Sequence, residues 1–441
     1  MSNRTISGPC VWVSFLNVYL LHMYNDVPSN AKHLPTIESV RRVDHNLTYN
    51  EFFHKFLINN EPCIIDTAIT ESWPCRQQWV LKDAPNFEFL GRLFGQCLVP
   101  ISDCKRRYYN SQLKNDMNMQ EYLDYWVKYR NSDYTSDMPL LYLKDWHCTK
   151  IFSDLVYYEV PHYFASDWLN EYYIAKPELD DDYMFVYMGP KGTWTPLHAD
   201  VFFSYSWSAN IVGRKRWLLF PPKEENKFRD SYGQLVYDVL SEDLKDHSKY
   251  KEYDSQNLKC FDVIQEAGEI MFIPSGWHHQ VWNLEDTISV NHNWINGCNI
   301  RTIWLSLKQQ LSSVMKEVED CKDMVNWVEH CQLMLKVSHG MNYIQFYSFI
   351  SFIATKRLDF ITKGSRVNSF GKYEFGINHC SFDLTMLKTV LEDFIIETKE
   401  KSIYSLISAD DQPINLLEKI NFVLQDEDND EIFELTLKMS P

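Results

Sequence analysis

The residues of this chain best suited to chemistry are His198 and Asp200, two apart in the run Trp194-Thr-Pro-Leu-His-Ala-Asp200. On an extended strand that spacing sends both side chains out of one face. A second run, Gly268-Glu-Ile-Met-Phe-Ile-Pro-Ser-Gly-Trp-His-His279, can add one more imidazole from either His278 or His279. Two imidazoles and a carboxylate on one side of a metal leave the opposite positions open, which is the donor arrangement of non-haem Fe(II) oxygenases. A His-x-Asp pair alone says little in a chain with 14 histidines and 60 acidic residues. Its neighbours strengthen it: Thr195 lies three residues before His198, and Lys215 follows after a strand and a turn. The second run has a Gly-Glu start, a stop at Pro274 and then its histidines.

Such residues need strands to hold them. Alternating or continuous apolar runs predict eight strands, at 184–188, 194–198, 203–211, 214–220, 259–264, 269–273, 279–284 and 288–294, enough for two four-stranded sheets. By parity Lys215 and Trp217 share one face while Arg214 and Arg216 take the other, so Lys215 is either an interior cation or part of a solvated basic turn. This barrel occupies 183–298 and carries a charged insertion at 222–256, too long for a tight turn and therefore partly helical or a flap.

Ahead of it, 36–182 reads as an α/β lead-in. Thr48-Tyr-Asn-Glu51 has capping-box spacing, 62–69 holds a short buried strand, 73–79 reads as a loop, 85–94 as a helix and 98–101 as a strand. Residues 119–130 form another helix, and 139–144 are apolar. His147 is read as structural, and the acidic run 178–182 as a solvated loop, or else as a contact for a basic substrate segment at the cleft mouth. From 299 to 441 the period is helical, predicting an all-helical region that packs on the barrel or on a second copy.

Composition narrows the partners. The chain has 441 residues, 45% of them hydrophobic and 15% aromatic, so it can build a large core. Its formal net charge of −17, from 43 basic and 60 acidic residues, repels nucleic acid and anionic membrane and favours basic partners. Eleven cysteines without a Cys-x-x-Cys pair give neither a disulfide framework nor a structural zinc cluster, and point to a reducing compartment. The cytoplasm is the expected location, with the nucleus as a second. Residues 1–35 have no defined fold in this reading. The apolar stretch 11–23 is short for a membrane span, which needs about 20 apolar residues, and reads as an appendage rather than a signal.

The stretch 183–294 resembles the JmjC (jumonji) family of 2-oxoglutarate and Fe(II) dependent oxygenases, and Asn60-Glu-Pro-Cys-Ile-Ile followed by Trp73 is similar to that family's lead-in. The resemblance implies a mainly β fold with α, a double-stranded β-helix of jelly-roll or cupin type. It implies Fe(II), 2-oxoglutarate as cosubstrate, and O2. His198, Asp200 and His279 match the metal ligands, because the family places the third ligand five residues after the proline; His278 then faces away. Lys215 and Thr195 match the residues that hold the far carboxylate of 2-oxoglutarate. Asn293 matches an asparagine near the cosubstrate, with Ser289 and Asn291 on its face. Trp207-Ser208 departs from the pattern, where a relative has asparagine after the tryptophan.

Within the family, the run from Pro274 to Trp294 is similar to lysyl hydroxylases of the eukaryotic translation release factor. That likeness implies a protein substrate, the release factor, and an effect on translation termination, with no direct nucleic-acid or membrane partner. Related oxygenases pair through C-terminal helices, which implies a homodimer here. The alternatives are an N-methyl-lysine demethylase of the JmjC type and a non-catalytic binding scaffold.

Overall fold

A computed structural model of the chain describes residues 37–135, 137–364, 373–425 and 437–439. The apolar run 11–23 lies outside the described residues. The lead-in contributes strands β1 (Ile37–Glu38), β2 (Arg41–Val43), β3 (Cys63–Ile65), β4 (Leu98–Tyr108), β5 (Ser111–Asn118) and β6 (Leu141–Trp146). Its helices are α1 (Tyr49–Phe52), α2 (Pro74–Gln78), α3 (Phe87–Phe94), α4 (Met119–Asn131) and α5 (Trp168–Ala175). The capping box forms at α1: Thr48 Oγ1 accepts from the Glu51 amide at 3.2 Å, and the Glu51 carboxylate accepts from the Thr48 amide at 3.0 Å. The expected loop at 73–79 is instead the helix α2, which Pro74 starts with its fixed φ.

Eight strands build the barrel: β7 (Met184–Gly189), β8 (Trp194–His198), β9 (Tyr205–Val212), β10 (Lys215–Phe220), β11 (Cys260–Gln265), β12 (Ile270–Ile273), β13 (His278–Asn283) and β14 (Thr287–Trp294). They divide four and four. One sheet runs β1-β11-β10-β13-β8 and the other β2-β3-β12-β9-β14-β7-β6-β4-β5, so the lead-in extends both sheets at their edges. This is a jelly-roll, the expected double-stranded β-helix. The turn between β9 and β10 needs Gly213, whose φ is +81° and whose missing Cβ would lie 2.2 Å from the Asp286 carbonyl oxygen.

Period-2 alternation decides what each face does. Met271, Ile273, Trp217, Leu219 and Val281 turn inward and fill one side of the barrel. On β9 and β14, Trp207 and Trp294 turn outward under the lead-in onto Phe164, Trp207 stacked at 5.4 Å with an 11° interplanar angle and Trp294 tilted at 5.7 Å. Each large apolar side chain buried this way contributes roughly 2–3 kcal/mol. The insertion at 222–256 contains two short 3-10 turns and covers the outer face of the smaller sheet, where Phe228, Val236 and Leu244 pack on Leu218 and Phe220.

The acidic run ahead of the barrel is not wholly solvated, for Asp182 is buried and pairs with His147 at 2.5 Å. That pair fixes the entry to β7 and gives His147 its structural role. The hairpin β4–β5 reaches far beyond the predicted strand at 98–101.

After the barrel come α6 (Ile300–Glu317), α7 (Trp327–His339), α8 (Tyr343–Lys363), α9 (Ile377–Glu400) and α10 (Pro413–Gln425). The region is not all-helical as expected, because Tyr373–Phe375 pairs antiparallel with Leu437–Met439, two runs too short and too far apart in the chain to show a strand period. Trp304, Tyr343, Phe346 and Phe394 form their aromatic centre. No helix among the described residues is long and apolar enough to cross a membrane.

Candidate metal centre

His198 ends β8 and His279 is the second residue of β13, and the two are register partners across that pair of strands. Their rings lie 4.3 Å apart, centroid to centroid. Asp200 follows just beyond the end of β8, at the start of a short turn. One ligand atom from each of His198, Asp200 and His279 lies within 4.8 Å of the others, close enough to converge on one ion.

Both imidazoles are set for coordination by their backbone partners. His198 Nδ1 donates to the Pro196 carbonyl at 2.8 Å, and His279 Nδ1 donates to the Trp277 carbonyl at 3.3 Å. This leaves each Nε2 lone pair free, the usual way a second hydrogen bond orients a metal-binding histidine. Burial, then the neighbouring His279, pushes the His198 pKa down, which favours the neutral imidazole a metal requires. The Asp200 carboxylate accepts from Ser206 Oγ at 2.6 Å and is thereby aimed. His278 points the other way: its ring lies beside Phe203, and its Nδ1 is 3.9 Å from Glu225 of the insertion.

Lys215 enters the barrel interior from β10, only 2% exposed, while Arg214 and Arg216 stay outside on Glu266 and Asp262. Its ammonium donates to Ser289 Oγ at 2.7 Å. No carboxylate pairs with it among the described residues, and burial pushes its pKa down to about 7. Thr195 sits on β8 opposite Val281, whose other neighbour is Trp217, so it stands one row along from Lys215 on the same inner face. Asn293 does not join Lys215. Its amide donates to Ser204 Oγ at 3.2 Å, at the turn that carries Asp200.

Residues 49–299 match the Cupin-like domain family. The chain is 44% identical over 379 residues, 83% of its length and 88% of the relative's, to "2-oxoglutarate and iron-dependent oxygenase JMJD4" of Gallus gallus. The chain belongs to the JmjC-type, Cupin-like oxygenase family. The human JMJD4 oxygenase is 42% identical over 351 residues, covering 79% of this chain and 82% of its own. A second kind of JmjC relative, "Arginine-specific demethylase JMJ20" of Arabidopsis thaliana, is 37% identical over 390 residues, covering 85% and 80%.

The donor set suits the iron of a JmjC oxygenase: two imidazole nitrogens and one carboxylate, with coordination positions left for other ligands. The buried ammonium of Lys215 likewise suits an anionic cosubstrate, because a carboxylate entering the barrel would supply the charge it lacks. Reading the JmjC chain from sequence alone missed four inward-facing residues of β6 and β7: Tyr142, Lys144, Asp145 and Tyr187. Lys144 Nζ donates to Gln112 Oε1 at 2.7 Å, and Tyr187 donates to Asp145 at 2.6 Å. The signal was present as Tyr142-Leu-Lys-Asp145, polar residues ending an apolar run. No charge partner for these residues is visible along the chain, so nothing in the sequence sets them apart from an ordinary strand end.

Proposed function

We propose that this JmjC oxygenase hydroxylates a lysine side chain of a protein, with the translation release factor as its substrate. His198, Asp200 and His279 would hold Fe(II), and Lys215 with Thr195 would hold the far carboxylate of 2-oxoglutarate. Once bound, iron and cosubstrate supply the oxidation: O2 and 2-oxoglutarate give succinate and CO2 while one oxygen atom enters a substrate C–H bond. The chain's own residues orient and exclude. Lys215 neutralises one end of the cosubstrate, Ser206 keeps Asp200 turned toward the metal position, and the apolar wall of Trp217, Leu219 and Val281 keeps water from the rest of the cavity.

The observation that carries the oxygenase chemistry is a buried ammonium with no counter-charge among the described residues, on the same inner face of the barrel as a three-ligand cluster. Support for lysine hydroxylation comes from the likeness of the Pro274-to-Trp294 run to the release-factor hydroxylases, and the net charge of −17 suits a basic peptide. The name printed for the Arabidopsis relative favours a second reading, removal of methyl groups from a basic side chain by the same metal chemistry. Intact mass separates the two. Incubating Fe(II)-loaded protein with 2-oxoglutarate and release factor is expected to yield succinate and a factor heavier by one oxygen atom. Loss of a methyl group with formaldehyde release would establish the second reading instead, and no factor-dependent succinate would overturn the first.

A further inference from the structure

Strand β6, which extends the larger barrel sheet beside β7, carries a carboxylate that the metal and cosubstrate do not use. Strand β6 pairs with β7 through Leu143–Met188 and Trp146–Val186, with an irregularity between them. Asp145 lies in that irregularity, in the left-handed region at φ +59°. Bulges of this kind re-aim side chains beside active sites, and a non-glycine residue held at positive φ marks a position the surrounding structure enforces.

The re-aimed carboxylate meets Tyr187, whose hydroxyl donates to it at 2.6 Å. Tyr187 stands directly across from Ser289, the residue that holds Lys215, so one row of contacts runs from the cosubstrate end to Asp145. Burial raises the Tyr187 phenol pKa, and the charge of Asp145 raises it further, so the hydroxyl stays protonated and serves as the donor to Asp145. Burial opposes ionisation of Asp145, but Lys114 and Tyr187 outweigh it and hold the group ionised.

Asp145 is also reachable. Its side chain is 36% exposed, and its cationic partner, Lys114 of β5, is 54% exposed. An ion pair to a flexible, half-exposed lysine contributes little to stability and is readily exchanged. Lys144, by contrast, is buried and tied to Gln112.

We propose that Asp145, braced by Tyr187, receives the cationic head of the residue to be oxidised, and that Lys114 is a resident cation which the substrate's ammonium or guanidinium displaces. This rests on the reading of the site as an oxygenase of basic side chains, and it makes Asp145 the residue that selects charge. It does not depend on which protein carries that side chain.

The probes are n-butylammonium, n-butylguanidinium and neutral n-butanol, titrated by NMR into the full chain loaded with Mn(II) and N-oxalylglycine, an unreactive analogue of 2-oxoglutarate. The cations are expected to bind at least tenfold more tightly than butanol. Asp145→Asn should erase that preference, Lys114→Met should tighten cation binding severalfold, and neither should alter affinity for Mn(II) or N-oxalylglycine. The opposite signs are the decisive feature, since a purely structural ion pair would make both variants behave alike. Equal weakening in both variants, or an unchanged preference in Asp145→Asn, overturns the proposal. If Asp145→Asn lowers the melting temperature, Tyr187→Phe serves in its place, keeping the carboxylate while weakening its hold, and is expected to cut the preference about threefold; an unchanged preference there overturns the proposal. A preference for cations together with no oxidation of release factor keeps the Asp145 site and removes only the named substrate.

Discussion

In the helical region Arg357 is wholly buried, and its guanidinium donates to both oxygens of Glu171 at 2.9 Å and to Asp383 at 2.8 Å. Trp168 and His379 complete the surroundings of Asp383. Burial works against the charge on Arg357, yet Glu171 and Asp383 outweigh it and raise its pKa above the ordinary value. In the barrel Lys215 is almost as deeply buried, but it has a serine hydroxyl where Arg357 has two carboxylates, and its pKa falls. A closed charge balance ties α5, α8 and α9 together. An open one leaves room for an anion. The contrast separates a structural cation from a binding one without reference to any relative.

The sharpest break in that contrast is at the metal ligands. His198→Ala or Asp200→Ala is expected to abolish Fe(II) binding and succinate formation while leaving the melting curve close to wild type; turnover at wild-type rate would remove these residues from the site. Next comes the closed network. Arg357→Met takes the shared guanidinium from two buried carboxylates, leaving Glu171 with Lys356 and Asp383 with Trp168 and His379, and should lower unfolding free energy by about 3 kcal/mol in urea, without changing turnover per folded molecule. The mirror experiment is Lys215→Met. It should raise the apparent dissociation constant for 2-oxoglutarate about 100-fold, the equivalent of roughly 3 kcal/mol. The ligand-free protein should keep or gain stability, because an ammonium lacking a counter-charge has been replaced by an isosteric apolar chain. A stability loss as large as that of Arg357→Met would mean that Lys215 is structural too.

The eight barrel strands were legible because period-2 alternation and glycine or proline stops lie along the chain itself. The largest slip was at the third strand, predicted from 203 and found from Tyr205, because Val201–Phe203 forms a turn with Phe202 at φ +57°. The β4–β5 hairpin was not legible beyond 101. Its outer half, with Lys105, Arg106, Arg107, Tyr108 and Tyr109, is exposed, so no burial imprints a pattern on it. At the site, the spacing of His198 and Asp200 was visible, and strand parity allowed only one of His278 and His279 to face inward. The open charge balance of Lys215 was not visible. It depends on Ser289, 74 positions away, and on folding bringing no carboxylate to it from among the described residues. Asp145 was hidden for the same reason, since its partners Lys114 and Tyr187 come from two other strands.

The smallest expected effect is on pH dependence. In the ligand-free protein Lys215 titrates near 7, whereas an exposed lysine in the unfolded chain titrates near 10.4. Between those values the unfolded state binds more protons, so ligand-free stability rises with pH from about 7 toward 10; the cost of burying the charge is fully present only below about 7. Binding the 2-oxoglutarate carboxylate reverses the preference, because the bound anion needs a protonated partner. Above pH 7 each binding event must therefore take up a proton. Affinity should weaken as pH rises, by up to about tenfold per unit, once other titrations are subtracted using Lys215→Met as the reference. Calorimetry in buffers of different ionisation enthalpy reads that proton directly. Arg357 carries its charge at every such pH, so the helical region should contribute no matching slope. Binding without proton uptake would mean that Lys215 already carries a full positive charge at pH 8, and that its charge balance is closed in the free protein as firmly as that of Arg357.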